Sequence, residues 1–202
     1  MAENSDGPWP GIQTGLSIPG RQLILACTSL VVAFALMGCA SKLVNDQEAV
    51  SQREAVHEFY DQVITLNIHG LPDKAEMSQL APLMSGRLVS LLETAKAHEA
   101  RELGLHRGTE PPLIQGSVFV SLFEGASRVI AIEPDDTPNM WAVTLAYGQP
   151  GTDEFDWTDE VLLTKESGKW VVDDIDLLGQ WDFARTGWLS NSLIISQTEP
   201  SR

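Results

Sequence analysis

The 202-residue sequence predicts an α+β fold: N-terminal helices packed on a curved, cone-like antiparallel sheet, preceded by a signal peptide. Three observations predict it. Apolar residues recur at helical spacing in the part of the chain that begins at Asp46. After Ser127 the apolar period changes to two, with turn residues between successive runs. Helices followed by consecutive hairpin strands are typical of α+β domains.

The first 38 residues have the features of an export signal. Arg21 precedes a run without charge from Gln22 to Ser41. Two interpretations fit this run. It is either a cleaved signal peptide with a basic start and small residues at the cut, or a membrane-spanning helix, which needs about 20 apolar residues. Thr28 and Ser29 dilute its apolar character, which favours the signal peptide.

The end of this run distinguishes the two interpretations. The stretch from Leu36 to Cys39 reads Leu-Met-Gly-Cys. It resembles the lipobox of bacterial lipoproteins, in which a small residue stands directly before the lipidated cysteine. The resemblance implies removal of residues 1–38, diacylglycerol on the thiol of Cys39, and a short tether over residues 39–45. Ala40 stands where an aspartate would favour the inner membrane, which implies an outer-membrane location facing the periplasm.

Composition and charge limit the classes of partner. The chain is 43% hydrophobic and 20% charged, as globular proteins are, and its formal net charge is −15. A surface this negative repels phosphate backbones, so nucleic acid is not expected as a partner. A basic partner or a cation is permitted, and solubility alone also explains the charge. The two cysteines are Cys27 and Cys39, so no internal disulfide is expected after cleavage.

Three helices are predicted in the first half of the domain. The first begins at Asp46 and is expected to end at Gly70 and Pro72. The second covers Lys74–Leu80, and Ser85 caps the third. The apolar faces consist of Val56, Phe59, Tyr60, Val63 and Leu66 in the first helix, and Leu88, Leu91, Leu92 and Ala95 in the third.

Strands joined by hairpin turns are predicted in the second half. They are Ser127–Glu133, Met140–Tyr147, Phe155–Lys165 and Lys169–Leu177. A closing helix is expected within Thr186–Ile195, so that one domain spans residues 46–195 and residues 196–202 form a loose tail.

Alternation assigns side chains to faces of the predicted strands. Trp157, Asp159 and Val161 share one face of the third strand. In the last strand, one face is predicted to carry Trp170, Val172 and Asp174, and the other Val171, Asp173 and Ile175. Which of these two faces is buried stays open, but an acidic residue accompanies either one.

Three stretches carry a family resemblance: Phe59-Tyr60, Gly116 to Gly125, and Trp157 to Val161 together with Gly168 to Ile175. Over about residues 49–178 they look like bacterial envelope lipoproteins of uncharacterised function, the YbjP type. That family is similar to the nuclear-transport-factor-two-like or cystatin-like cone folds, which agrees with helices followed by a sheet. The resemblance implies no activity, because a fold alone does not supply one.

Metal and nucleophile motifs are weak. His98-Glu99 begins like the zinc-protease helix motif, but Glu102 replaces its second histidine, and His106 follows near the helix end. A solvated helix end explains these residues better than zinc does, so neither a metal site nor a cofactor is expected. The acidic run from Asp153 to Glu160 lacks the spacing of a calcium loop. Ser121 lacks a nucleophile elbow.

Buried carboxylates offer the remaining chemistry. Asp159 or Asp174 in an apolar cone would have a raised pKa and could act as a general base. Such an acid could equally bond backbone amides, or an arginine such as Arg87 or Arg128. The candidate pocket or partner-binding residues are Tyr60, Phe123, Trp157, Asp159, Trp170 and Asp174.

The leading functional hypothesis is a non-enzymatic module that binds a protein or cell-wall partner through the concave face of the sheet or the acidic hairpins. One alternative is a cone-fold enzyme or small-ligand binder that uses a pocket acid. Another is an inhibitor or immunity protein, whose acidic surface would cap a basic effector.

Overall fold

The computed structural model describes residues 46–105, 114–151 and 154–198, all within a compact unit that begins at Asp46. The predicted signal peptide, the lipidation of Cys39 and the tether fall outside these ranges. The described helices are α1 (46–66), α2 (Lys74–Leu80), a 3-10 turn (Ala81–Leu83), α3 (Gly86–Leu105) and α4 (Leu189–Thr198). None of them is both long enough and apolar enough to cross a bilayer.

Five antiparallel strands form one sheet in sequence order. They are β1 (Arg128–Pro134), β2 (Met140–Tyr147), β3 (Phe155–Glu166), β4 (Lys169–Leu178) and β5 (Thr186–Trp188). The predicted α+β class is therefore confirmed. Each hairpin turn lies where proline, aspartate or glycine interrupts the alternation, because those residues accept the backbone angles that a turn needs.

Local signals explain most helix ends. The side chain of Asp73 accepts hydrogen bonds from the amides of Ala75 and Glu76, and the carboxylate of Glu76 accepts one from the amide of Asp73, which forms a capping box for α2. The hydroxyl of Ser85 accepts the amide of Leu88 at 3.1 Å, as predicted for the cap of α3. Helix α1 ends earlier than predicted, at residue 66, because Asn67 takes a left-handed conformation (φ 48°).

One hydrophobic core joins the helices to one face of the sheet. The predicted apolar faces of α1 and α3 are buried there, with Leu66 and Leu91 only partly covered. The sheet contributes the core-facing residues Trp141, Val143, Leu145, Trp157, Val161, Leu163, Val172, Ile175 and Leu177. The helices therefore cover one face of the sheet.

The predicted alternation along β4 is wrong at its centre. Leu162 pairs with Asp174 and Leu163 pairs with Val172, which leaves Asp173 as an extra residue in the ladder. This β-bulge shifts the alternation by one residue. As a result Val172 and Ile175, which we expected on opposite faces, both lie in the core.

The C-terminal segment differs from the single predicted helix. Thr186–Trp188 forms β5, which pairs with the end of β4, and α4 then extends to Thr198, beyond the expected end at Ile195. Three residues that include Gly187 (φ 82°) carry no strand periodicity of their own. They become a strand because β4 supplies hydrogen-bonding partners.

Candidate functional site

Asp159 is fully buried and lies at the centre of a hydrogen-bond network. One carboxylate oxygen accepts the hydroxyl of Ser121 and the amide of Leu178 (3.0 Å). The other accepts the amide of Ser121 (2.9 Å) and the indole N–H of Trp157 (3.0 Å). Four donors satisfy a carboxylate well, so Asp159 is bound in place by the protein itself.

The network links segments that are distant in sequence. The hydroxyl oxygen of Ser121 accepts the amide of Gly179 at 3.0 Å, and its carbonyl accepts the amide of Arg185 at 3.0 Å. Thus the loop containing Ser121, strand β3 and the loop after β4 meet at Asp159. Ser121, which lacks the sequence of a nucleophile elbow, has a buried hydroxyl that donates to Asp159 and accepts the amide of Gly179.

Tyr60 lies fully buried on α1, and its ring packs edge-to-face against Phe59 with centroids 5.2 Å apart. Its hydroxyl has no hydrogen-bond partner among the described residues. Burial, with a contribution from the negative charge of Asp159, raises the pKa of Tyr60 well above its ordinary value. The side chain is therefore a neutral phenol at neutral pH.

Asp174 belongs to a second cluster, where α3 and α4 meet β4. One of its oxygens accepts the amide of Ser190 (3.1 Å) at the start of α4, and the other accepts Arg87 (3.2 Å) at the start of α3. Arg87, one of the two arginines that the sequence offered as partners, also binds both carboxylate oxygens of Asp173 at 3.1 and 3.0 Å. We call Arg87, Asp173 and Asp174 the arginine clasp.

The arginine clasp favours the ionised form of the Asp173 carboxylate. Burial alone would raise the pKa of Asp173, but hydrogen bonds from Arg87 and from the hydroxyl of Ser85 outweigh it and lower this pKa below its ordinary value. The same contacts raise the pKa of Arg87. Such a satisfied ion cluster connects secondary structure elements and leaves no free base.

Two further candidates lie apart from both clusters. Trp170, in the strand that follows the β3–β4 turn, packs under the amine of Lys165 (5.2 Å to the ring centroid) and lines a groove of about 240 Å³ beside α1. Phe123 is 48% exposed in the loop before β1. Of the six predicted residues, Trp157 and Asp159 are hydrogen-bonded to each other, and Asp174 belongs to the arginine clasp.

A larger groove of about 560 Å³ lies between α2 and α3 and was not predicted. Its lining combines apolar residues with lysines and acids: Pro72, Asp73, Lys74, Met77, Ser78, Ala81, Glu93, Lys96, Ala97 and Ala100. Lys96 bonds the carbonyl of Leu71 and the carboxylate of Glu99. The small side chains of Ala81, Ala97 and Ala100 leave room for this groove, and no motif in the sequence identifies the groove.

The histidine motif has no metal-site geometry in the part of the chain that the structure describes. Glu99 is buried and paired with Lys96, at 3.0 Å. His106 falls outside the described ranges. Within those ranges, no group of three or more histidine, cysteine or acidic residues is arranged to hold a metal ion.

A row of acidic residues crosses the opposite face of the sheet. Direct pairing aligns Glu133, Ala142, Glu160 and Asp176 on four adjacent strands. Burial raises the pKa of Glu160, and Asp135 and Asp176 add to the shift. Burial raises the pKa of Asp176 too, with contributions from Asp174 and Asp159. Ionisation of these two groups is thus less favourable in the folded than in the unfolded chain.

We expect the double substitution Glu160→Gln and Asp176→Asn to stabilise the protein at pH 7. A raised folded-state pKa contributes stability at low pH that is lost as pH rises through that pKa. Removing both charges should therefore raise Tm by about 1–3 °C at pH 7 and have almost no effect near pH 3. Melting followed by circular dichroism measures this. The matched control is Glu54→Gln with Glu58→Gln on exposed positions of α1, and an equal gain there would contradict the explanation.

An exposed aromatic cluster lies at the end of the sheet next to the Asp159 network. Phe155 and Trp157 stack with centroids 5.9 Å apart, and Trp181 packs edge-on against both, at 5.0 and 6.1 Å. Phe183 follows in the same loop as Trp181. Sequence reasoning missed Phe155, Trp181 and Phe183. The signal available was the run Trp-Asp-Phe outside any periodic segment.

Comparison with known proteins gives one similar sequence. No protein-family model matches the chain. The chain is 28% identical over 179 residues to the uncharacterised lipoprotein YbjP of Escherichia coli K12, which covers 87% of this chain and 93% of YbjP. Among solved structures, a protein of unknown function from Bacteroides thetaiotaomicron aligns with a TM-score of 0.36 and 13% identity, over 67% of this chain and 98% of that one. The similarity to YbjP supports a lipoprotein of unknown function in the bacterial envelope.

Proposed function

We propose that the chain is a lipoprotein held by diacylglycerol on Cys39 at the periplasmic side of the outer membrane. Its domain acts as a non-enzymatic module that binds a partner in the envelope. The lipobox-like stretch ending at Cys39 and the similarity to a lipoprotein over 87% of the chain support the anchor. Residues 1–38 are then the signal peptide, residues 39–45 the tether, and the domain starts at Asp46.

The engagement of both buried acids by protein hydrogen bonds is the observation that supports the binding role. A general base in a cone needs a cavity and a carboxylate that is free to take a proton. Here Asp159 is fully buried and accepts four hydrogen bonds, and Asp174 is engaged by Arg87 and Ser190. Both acids therefore stabilise contacts between secondary structure elements. We assign the binding of a partner to the surface of the domain.

The order of elements supports the cone-type fold that the resemblance implies. Helices α1 to α3 precede the sheet and cover one of its faces, and the strands follow one another as antiparallel neighbours. A nuclear-transport-factor-two-like or cystatin-like relationship accounts for this arrangement. It carries no activity with it, because such folds host many functions.

The substitution Cys39→Ser tests the anchor. We expect it to abolish incorporation of an alkyne palmitate analogue and to remove the protein from the membrane fraction, because the thiol is the acceptor of the lipid. Metabolic labelling, followed by gel analysis of washed membranes, gives both readouts. Cys27→Ser, inside the predicted signal peptide, is the matched control and should retain label and location. A Cys39→Ser protein that stayed in washed membranes uncleaved would identify the apolar run as a helical anchor instead.

A further inference from the structure

The end of the sheet at Phe155 presents an unusual set of exposed aromatic side chains. Phe155 is 42% exposed and Phe183 is 97% exposed. Phe155 packs against the partly buried Trp181 with ring centroids 5.0 Å apart, and Phe183 follows two residues later in the same loop, so we call Phe155, Trp181 and Phe183 the aromatic end. Large apolar side chains grouped on a surface mark an interaction site more often than single exposed ones do.

The loop that carries Trp181 and Phe183 is held rigidly. The amide of Gly179 bonds the hydroxyl of Ser121 at 3.0 Å, and the amide of Arg185 bonds the carbonyl of Ser121 at 3.0 Å. A β-carbon on Gly179 would lie 2.4 Å from that of Ala184, so the loop closes tightly on itself. The hydrogen bonds of Asp159 and Ser121 therefore fix the position of this loop.

Phe183 has no role within the domain that would explain its position. Its φ of 69° is in the left-handed region that residues with a β-carbon rarely adopt, and almost its whole side chain faces solvent. Strained backbone that the surrounding structure holds in place occurs preferentially at functional sites. A fixed loop that presents an aromatic side chain to solvent lowers the ordering cost of binding a partner.

Charge indicates the chemistry of that partner. Asp182, an exposed acid, stands between Trp181 and Phe183, and the chain has a formal net charge of −15. Aromatic residues are enriched in the centres of protein–protein interfaces, and an acidic surface favours a basic partner. We propose that the aromatic end docks a protein that presents an apolar centre surrounded by basic residues.

Charge disfavours the lipid surface as the occupant. A chain with a formal net charge of −15 is repelled by anionic lipid headgroups, whereas a basic protein is attracted to it.

This docking surface deepens the proposed binding role and rests on it. The first experiment places a photo-crosslinking phenylalanine analogue at position 183 of the full lipidated chain in the cells that make it. The control places the analogue at Val50, which is 56% exposed on α1. We expect one protein with a basic surface to be captured from position 183 and not from position 50. Crosslinks at 183 to lipid, to cell-wall glycan, to an acidic protein or to nothing would overturn the proposal.

Capture is followed by a titration with the purified captured protein. We expect Phe183→Ala to weaken binding about tenfold or more and Val50→Ala to change it less than about twofold. Affinity should fall as NaCl rises from about 50 to about 300 mM, because salt screens the attraction between the acidic domain and its basic partner. Both variants should melt like the wild type, since the side chain of Phe183 is exposed. Equal affinities for the wild type and Phe183→Ala, or no dependence on salt, would contradict the docking surface.

Parallel binding measurements with purified cell-wall sacculi and with phosphatidylethanolamine–phosphatidylglycerol vesicles test the cell wall and the lipid surface as alternative partners. We expect Phe183→Ala to leave binding to both unchanged, and weaker binding of this variant to either would overturn the choice of a protein partner. Loss of lipid labelling at Cys39 is a separate outcome. It would refute the anchor, while the titration in solution would still decide the docking surface.

Discussion

Replacing Asp159 with Asn is expected to lower the free energy of unfolding by about 3 kcal/mol, the cost of leaving buried donors without an acceptor. The carboxylate accepts hydrogen bonds from Ser121, Trp157 and Leu178 in the buried core. An amide of the same shape presents N–H groups to two of the four donors, and the charge that strengthened all four bonds is lost. A loss of this size corresponds to a decrease in Tm of about 6–12 °C.

Calorimetry or urea denaturation in mild detergent measures this change. The matched control is Asp156→Asn, which alters the same residue type three positions earlier on an exposed site of β3. That control should remain within about 0.5 kcal/mol of the wild type. If Asp159→Asn melted like Asp156→Asn, Asp159 would not be structural, and a role for it in ligand chemistry would return to consideration.

Replacing Arg87 with Met is expected to cost about 2 kcal/mol of stability at neutral pH, because Asp174 then stays buried without its charged partner. The partial exposure of Arg87 makes this less than the loss of a fully buried pair. The pKa of Asp173 is lowered in the folded protein, so its contribution is present above the unfolded-state pKa of about 4 and is lost as pH falls through the lower folded value. The difference between the variant and the wild type should therefore shrink below about pH 4.

Denaturation at several pH values tests this dependence. Arg53→Met on an exposed position of α1 is the control, and we expect it to have a small effect at every pH. A penalty for Arg87→Met that was equally large at pH 3 and pH 7 would show that packing of the side chain, and not the ion cluster with Asp173 and Asp174, stabilises this junction.

The accuracy of the strand predictions depended on whether the signal was local. Met140–Tyr147 is the strand β2 residue for residue, because regular alternation lies between two turns. Strand β5 was missed because Thr186–Trp188 is too short for any period and is defined by its pairing with β4. The bulge at Asp173 was missed because a register exists only between two strands.

In the candidate site, too, local sequence signals were predictable and contacts between distant residues were not. Composition and periodicity identified Asp159 and Asp174 as acids in apolar surroundings, and both are buried. Whether such an acid is reactive or structural depends on donors that no pattern near it reveals. Ser121 reaches Asp159 across 38 positions, and Arg87 reaches Asp174 across 87.

By itself the sequence determined the α+β class, the cap of α3 at Ser85, most strand bounds and the buried faces of α1 and α3, because hydrophobic period and turn chemistry act over a few neighbouring residues. The tertiary structure alone decided the use of the buried acids, which face of the sheet the helices cover, and the contact between Phe155 and Trp181. Those features depend on segments that only folding brings together, and pairing between distant donors and acceptors leaves no periodic trace in the chain.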